Sequence, residues 1–254
     1  MDMRWSQLVE RYRVEEDEAI LALNKPVGIS VTGERHDTDL VELAEAEGVK
    51  LYPVHRIDKV TSGLVLFAKD LAAHGGLTRQ FNKRTVDKRY LLITAATDVP
   101  DTGVIELPLS VGRKNRVRIA APREAIRRDG DRWEVDEADL IGDKRYPSRT
   151  EFRTVARTDH HTAVLVRPIT GRRHQIRVHM AWIGYPIAGD PLFDRSGGYD
   201  RTHLHSFTLR MRAQWRGSDL DLVADPGADF FTAGARSLVD DPATLLERIR
   251  PIQT

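Results

Sequence analysis

The chain has 254 residues and a formal net charge of +1, from 39 Lys and Arg against 38 Asp and Glu. Its 41% of hydrophobic residues suffices for a folded core and excludes a wholly disordered chain. The lack of cysteine excludes disulfides, thiol nucleophiles and cysteine-ligated metal sites, and no apolar run approaches the roughly 20 residues that cross a bilayer. Because no signal peptide is recognisable either, we expect a cytoplasmic protein without a membrane segment.

The predicted elements are short strands interrupted by few helices. In chain order they are a strand at 19–24, a helix at 39–47, a strand at 63–69, a helix at 71–82, strands at 89–94, 104–111, 150–156 and 162–167, a helix at 172–183, a strand at 204–211 and a helix at 242–248. Strands and helices do not alternate regularly, which argues against a doubly wound parallel sheet. We therefore expect an α+β fold with a mixed, mainly antiparallel β-sheet and flanking helices. The highly charged stretch 121–146 is predicted to be a loop or an excursion from the sheet.

The charges are segregated along the chain. Residues 1–50 hold six basic and twelve acidic side chains, whereas residues 56–89 hold eight basic and three acidic ones. The run 113–118 is four-sixths basic, and the chain becomes acidic again after Trp215. This pattern fits either ordinary solvated faces or a positive surface that follows a phosphate backbone.

One polar cluster precedes the predicted strand at 63–69. The segment His55–Gly63 reads H-R-I-D-K-V-T-S-G, so Asp58 stands among three potential cations, His55, Arg56 and Lys59. Cations within about 4–6 Å favour the ionised carboxylate, which is suited to act as a nucleophile or charge stabiliser. A surface loop with a structural ion pair explains the same residues equally well.

A second cluster lies at the predicted helix 172–183. A helix that starts near Gly171 would carry Arg172 and Arg173 in its first turn, where each cation opposes the helix dipole by about 0.3–1 kcal/mol. This arrangement favours anionic partners, either phosphates or a buried carboxylate, for which Asp58 is the candidate. A solvated basic helix start is the alternative.

Motifs for nucleotide cofactors and metals are absent. The chain has no G-x-G-x-x-G, no G-x-x-x-x-G-K-[ST] and no H-E-x-x-H. His203 and His205 could share one strand face, but two ligands without a nearby carboxylate or cysteine are a weak zinc signal. We interpret both as packing or hydrogen-bonding residues.

Together the two clusters resemble the signatures of the RluA family of RNA pseudouridine synthases. The family's H-R-L-D-x-x-T-S-G is matched at His55–Gly63, with Ile57 in place of Leu, and its G-R-x-H-Q-[IL]-R-x-H at Gly171–His179. Its shorter pieces K-P-x-G, K-x-Y, G-D and L-H are matched in order at Lys25–Gly28, Lys88–Tyr90, Gly189–Asp190 and Leu204–His205. The matches span roughly residues 19–230, although the stretch 121–146 cannot be aligned.

The resemblance implies a pseudouridine synthase-like fold, with an N-terminal extension at 1–18, a catalytic domain at 19–230 and a C-terminal tail with a short helix at 231–254. Many relatives carry an S4-like RNA-binding domain before K-P-x-G. Only 24 residues precede Lys25, too few for that domain, so RNA contacts are expected to fall to the catalytic domain.

The activity that the resemblance implies is the isomerisation of uridine to pseudouridine within structured RNA, either rRNA or tRNA. An N–C glycosidic bond is replaced by a C–C bond with no redox change and no donated group, so neither a cofactor nor a metal is expected. The base must leave the helical stack, at a cost of a few kcal/mol. The expected partner is RNA, and the expected oligomeric state is a monomer.

The same resemblance implies roles for individual residues. Asp58 is the essential carboxylate that engages the ribose, and Arg177 pairs with it. Tyr90 stacks on the target base and supplies a hydroxyl for general-base work. The expected substrate-binding residues are Arg56, Ile176, Arg172, Arg173, His174 and Lys88, with the basic run 113–118 as a weaker phosphate-binding candidate.

Two alternatives remain. The first is an RNA-binding protein that keeps the fold but has lost catalysis, and the intact Asp58, Tyr90 and Arg177 argue against it. The second is a hydrolase that uses Asp58 with a histidine. The sequence shows neither a second well-placed carboxylate nor a nucleophile elbow, which argues against this alternative.

Overall fold

A computed structural model describes residues 3–33, 38–112 and 116–250. Arg113, Lys114 and Asn115, half of the predicted basic run, therefore lie outside the described residues. The chain divides into two compact units. Unit 1 comprises Met1–Lys88, Leu204–Gly227 and Arg250–Thr254, and unit 2 comprises Arg89–His203 and Ala228–Ile249.

The elements are mostly strands. The strands are β1 Arg13–Glu16, β2 Ile20–Lys25, β3 Tyr52–Pro53, β4 Ser62–Ala68, β5 Asp87–Thr94, β6 Thr102–Ile105, β7 Leu109–Val111, β8 Val117–Ile119, β9 Arg127–Asp129, β10 Arg132–Glu134, β11 Thr150–Arg157, β12 Thr162–Pro168, β13 Leu204–Ala213, β14 Ser218–Val223, β15 Thr232–Ala233 and β16 Arg236–Ser237. The α-helices are α1 Trp5–Tyr12, α2 Leu40–Ala46, α3 Leu71–Lys83, α4 Gln175–Trp182 and α5 Pro242–Ile249.

Unit 1 is built on strands in the order β1-β2-β4-β13-β14, with β3 paired to β4. All of these pairs are antiparallel except β4 with β13. Every residue of β4 is buried, which fits a strand made almost wholly of apolar residues. Leu64 and Leu66 pack there with Ile20 of β2, Leu77 of α3 and Leu209 of β13. This core holds both ends of the segment between β3 and β4.

Unit 2 is built on strands in the order β5-β12-β11-β6-β10-β9. The pairs are antiparallel except β6 with β10. Helix α4 packs against β8, β11 and β12, and α5 packs against β11. The expected α+β class with a mixed, mainly antiparallel sheet and flanking helices is therefore confirmed.

Three predictions about the elements are wrong in part. The single strand expected at 104–111 breaks into β6 and β7, because Pro108 lies between them and has no N–H for a ladder. The helix expected from 172 begins at Gln175, so Arg172 and Arg173 precede it instead of lying in its first turn. The stretch 121–146 contributes β9 and β10, and β10 joins the edge of the sheet beside β6.

None of the helices among the described residues is long and apolar enough to span a membrane.

Candidate active site

Asp58 lies in unit 1, in the segment between β3 and β4. The backbone N–H of Thr61 donates to the carbonyl of Asp58 at 3.0 Å, which closes a turn immediately after the aspartate. Gly63 then has φ +105°, and a Cβ there would lie 2.2 Å from the carbonyl oxygen of Ser206. Glycine is therefore required at the end of this turn, both for its left-handed backbone and for the approach of β13.

A buried lysine braces the loop after Asp58. Lys25 is 0% exposed, and its Nζ donates to the carbonyls of Pro26 and Ile29 at 2.8 Å and of Lys59 at 3.5 Å. The N–H of Gly28 donates to the same Lys59 carbonyl at 2.9 Å. A buried ammonium needs such acceptors, because desolvation without hydrogen bonds is costly. Two donors of the K-P-x-G segment, Lys25 and Gly28, thus hydrogen-bond to the carbonyl of Lys59, the residue that follows Asp58.

His55 is a neutral structural residue and not a cation beside Asp58. Its Nε2 accepts the N–H of Leu66 at 3.1 Å, so the proton of the ring is on Nδ1. Burial, reinforced by the charge of Lys88, lowers the pKa of His55 to about 3. The ring stacks on Phe81 at a centroid distance of 4.8 Å. The potential cations next to Asp58 in sequence are thereby reduced to Arg56 and Lys59.

The other predicted binding residues of unit 1 are Arg56 and Lys88. Arg56 is exposed in the loop that carries Asp58. Lys88 lies with its Nζ 5.8 Å from the centroid of the Phe81 ring, and burial lowers the pKa of its ammonium. Phe81 therefore contacts both the ring of His55 and the ammonium of Lys88.

A buried serine–histidine pair fixes the start of β4. Ser62 Oγ is 2.8 Å from Nδ1 of His205, and Nε2 of His205 is 2.8 Å from the carbonyl of Ala224. Because a carbonyl can only accept, Nε2 carries the proton and the Ser62 hydroxyl donates to Nδ1. The L-H piece of the sequence thus supports the T-S-G turn.

In unit 2, His203 is likewise buried and lies with Nδ1 2.8 Å from the carbonyl of Phe230.

In unit 2, Arg177 makes a buried, two-pronged ion pair with Asp190. Its Nε is 2.6 Å from Oδ2 and its Nη2 is 2.8 Å from Oδ1, and the two side chains are 4% and 0% exposed. Asp190 also accepts the N–H of Leu192 at 2.9 Å. Sequence reasoning missed Asp190 as a partner, although the Gly189-Asp190 piece pointed to it. The pairing of Arg177 with Asp58 stays a prediction.

Gly189 is required for this arrangement. It has φ +72°, and a Cβ there would lie 2.0 Å from the carbonyl oxygen of Arg201. The following Asp190 is thereby held within a tight turn, where its carboxylate meets Arg177.

Two polar side chains of α4, Gln175 and His179, form hydrogen bonds to Thr150 in the sheet of unit 2. Gln175 donates from Nε2 to the carbonyl of Arg149 and to Oγ1 of Thr150, both at 3.0 Å. His179 is fully buried, with Nδ1 2.8 Å from the same Thr150 hydroxyl and Nε2 3.0 Å from the carbonyl of Leu107. Burial lowers the pKa of His179 to about 4, so the ring is neutral. Two residues of the G-R-x-H-Q-I-R-x-H signature, Gln175 and His179, therefore orient the helix that carries Arg177.

The predicted binding residues just before α4 adopt a distinct backbone. His174 precedes the helix with φ 55°, a left-handed conformation that is uncommon for a residue other than glycine. Arg172 donates its backbone N–H to Oε1 of Gln175 at 3.0 Å. Its guanidinium lies 5.6 Å from the Tyr146 ring centroid. Arg172 and Arg173 are both exposed, as a role in binding phosphates requires.

Tyr90 and Ile176 are both largely buried. Tyr90 is 9% exposed on β5, where it is opposite Val166 of β12. Ile176 is 6% exposed in the first turn of α4.

Among the described residues, no group of three or more His, Asp or Glu side chains is arranged to hold a metal ion.

Comparisons with known proteins agree with the motifs. Residues 19–182 match the RNA pseudouridylate synthase family. The chain is 34% identical over 206 residues to the dual-specificity RNA pseudouridine synthase RluA of Vibrio vulnificus (strain CMCP6), which covers 76% of this chain and 74% of that protein. It is 33% identical over 231 residues to the ribosomal large subunit pseudouridine synthase C of Pasteurella multocida (strain Pm70), which covers 86% of this chain and 65% of that protein.

A solved structure shares the fold. Human RNA pseudouridylate synthase domain containing 4 superposes with a TM-score of 0.71 at 25% identity, over 89% of this chain and 92% of that one. The order of the motifs, the family match and the shared fold all agree. The chain belongs to the RluA family of RNA pseudouridine synthases.

Proposed function

We propose that this enzyme isomerises specific uridines in structured ribosomal or transfer RNA, with Asp58 as the catalytic carboxylate. The observation that carries the proposal is the braced loop of unit 1. Lys25, Thr61 and Gly63 all constrain the backbone on the carboxyl-terminal side of Asp58. Such constraint suits a side chain that must meet a substrate atom in one geometry. The name of the first relative supports RNA as the substrate, and the name of the second specifies the large ribosomal subunit.

The reaction needs a carboxylate and a proton acceptor. The C1′–N1 bond of the target nucleotide breaks, uracil rotates, and a bond forms between C1′ and C5, whose proton is then released. Asp58 engages the ribose while the uracil is detached. Tyr90 stacks on the base, and its hydroxyl accepts the C5 proton as its own proton passes to solvent. N1, which leaves C1′ with the bonding electron pair, takes up one proton in exchange. Atoms and electrons balance within the substrate, so the reaction consumes no co-reactant.

The remaining residues bind the RNA in this proposal. Arg56 occupies the gap left by the flipped base or contacts a phosphate, and Ile176 packs against the base or Tyr90. Arg172, Arg173, His174 and Lys88 complete the binding set. We further propose that the enzyme acts as a monomer in the cytoplasm, which fits a modification that needs one active site and one RNA.

Pseudouridine mapping tests the function directly. Total RNA from a strain that lacks the gene is compared with parental RNA and with RNA from a strain complemented with the wild-type gene or with Asp58→Asn. We expect one or a few pseudouridines to disappear, to return with the wild-type gene and to stay absent with Asp58→Asn. An unchanged map would reject the function, and restoration by Asp58→Asn would reject the role of Asp58.

A further inference from the structure

A cleft of about 1490 Å³ opens on unit 2 beside α4. Its walls are strongly basic. The arginines that line it are Arg116, Arg118, Arg123, Arg173 and Arg195. Among the described residues that line the cleft, none is an aspartate or a glutamate. A concave surface of one charge concentrates ligands of the opposite charge, so the cleft is suited to a polyanion.

Three of these arginines hold their charge without a carboxylate. Arg116, Arg118 and Arg195 are exposed, and within the described part of the chain none of the three forms an ion pair. By contrast, three other arginines of unit 2 are paired with carboxylates. Arg149 pairs with Glu106 and Glu151, Arg157 with Asp101 and Arg201 with Asp229. The cleft therefore carries three positive charges that no carboxylate of the described residues offsets.

The cleft also contains an aromatic surface. The rings of Trp182 and Phe193 meet edge to face at 6.1 Å, and the neighbouring Leu192 is 57% exposed. Arg123 lies 5.8 Å from the Trp182 ring centroid and donates to the carbonyl of Ala181 at 2.5 Å, which fixes its guanidinium beside the ring. Aromatic rings and ordered guanidinium groups are the surfaces on which unpaired bases stack.

We propose that this cleft binds a single-stranded segment of the substrate RNA. Phosphates lie on Arg116, Arg118 and Arg195, and one unstacked base lies on the Trp182–Phe193 pair. In an RNA duplex the base faces are stacked on one another, so the aromatic surface favours a single strand. An acidic protein segment would match the charge but has no base to stack. The identification of the bound RNA as substrate rests on the proposed function.

Binding of a short, fluorescein-labelled single-stranded RNA to the full chain tests whether the arginines of the cleft bind phosphates. The variant is Arg116→Gln/Arg118→Gln/Arg195→Gln. Its matched control, Arg11→Gln/Arg79→Gln/Arg153→Gln, removes the same charge from exposed positions outside the cleft. We expect the cleft variant to bind at least about tenfold more weakly and to lower the slope of log Kd against log salt by about 2, the value for three lost phosphate contacts to a single strand. Equal effects in both variants would overturn the proposal.

Tryptophan fluorescence and a duplex competitor test the stacking. RNA binding should quench the emission of the wild-type protein and of Trp215→Phe, and quench Trp182→Phe much less. An RNA duplex of equal charge should compete more weakly than the single strand. Equal quenching in both tryptophan variants, or equal competition by the duplex, would overturn the single-stranded assignment. Tighter binding of a glutamate-rich peptide than of RNA would overturn RNA as the occupant.

A separate activity assay distinguishes failure of the cleft proposal from failure of the proposed function. Pseudouridine formation by wild-type protein is assayed on the RNA that the mapping identifies. If wild-type protein modifies that RNA while the cleft variant binds the probe as tightly as wild type, the cleft proposal fails and the function stands. If no RNA is modified but the cleft variant still loses binding, RNA binding at the cleft is supported and the identification of that RNA as substrate fails.

Discussion

In the proposed function, Asp58 is the residue on which the chemistry depends. Replacing it with asparagine keeps the size of the side chain and the backbone bond from Thr61, but removes the charge that is proposed to engage the ribose. We therefore expect Asp58→Asn to abolish pseudouridine formation, with the melting temperature and the affinity for RNA close to those of wild type. The measurements are pseudouridine content of a verified substrate and thermal unfolding. Substantial turnover by the variant would refute the assignment.

The ion pair of Arg177 and Asp190 is a stability element. Both side chains are buried and joined by two short hydrogen bonds, so removal of Arg177 leaves the buried carboxylate of Asp190 without this counter-charge. We expect Arg177→Ala to lower the free energy of unfolding by about 3–5 kcal/mol. The matched control is Asp219→Asn, which breaks an exposed pair with Arg210 and should cost less than about 1 kcal/mol. Equal losses at the two sites, measured by urea unfolding, would contradict this ranking.

At the scale of elements, strand and helix positions could be predicted because their apolar periodicity is set locally. The helix predicted at 71–82 is observed at Leu71–Lys83, and the strand predicted at 162–167 at Thr162–Pro168. The start of α4 could not be predicted, since it depends on the left-handed backbone of His174 and on Gln175, whose amide bonds to a strand distant in sequence. Asp190 was missed for the same reason, because a bond between a helix and a later turn leaves no local pattern.

The loop that carries Asp58 depends on Lys25 of β2. Lys25→Met keeps most of the volume but leaves the carbonyls of Pro26 and Ile29 without this donor, and an unsatisfied buried acceptor costs about 1–3 kcal/mol. The carbonyl of Lys59 also loses its bond to Lys25 and keeps that from the N–H of Gly28. We expect both a lower melting temperature and a lower turnover number, because the backbone next to Asp58 loses its brace. The control is Lys69→Met, which removes a lysine from the partly exposed pair with Glu16. A variant of Lys25 with wild-type turnover would show that the brace does not position Asp58.

For the whole molecule, buried neutral histidines set the response to acid. His179 and His203 are both fully buried, and burial lowers the pKa of each to about 4. In the unfolded chain the same rings take up a proton near the ordinary histidine pKa of 6.5. Between these limits the unfolded state binds more protons than the folded state, so stability is complete above pH 6.5 and falls as the pH drops towards 4.

This titration predicts the pH window in which the protein loses stability. Carboxylates with a lowered pKa, such as Glu16 and Asp17, contribute only at the acid end, because the ordinary pKa values of these side chains are 4.5 and 3.8. The loss from pH 6.5 to about 5 therefore belongs mainly to the histidines. Urea unfolding at a series of pH values measures it. His179→Gln should lower stability at neutral pH yet flatten the slope in this window, whereas the exposed His160→Gln should leave the slope unchanged. A slope that stays at the wild-type value in His179→Gln would assign the acid sensitivity to other groups.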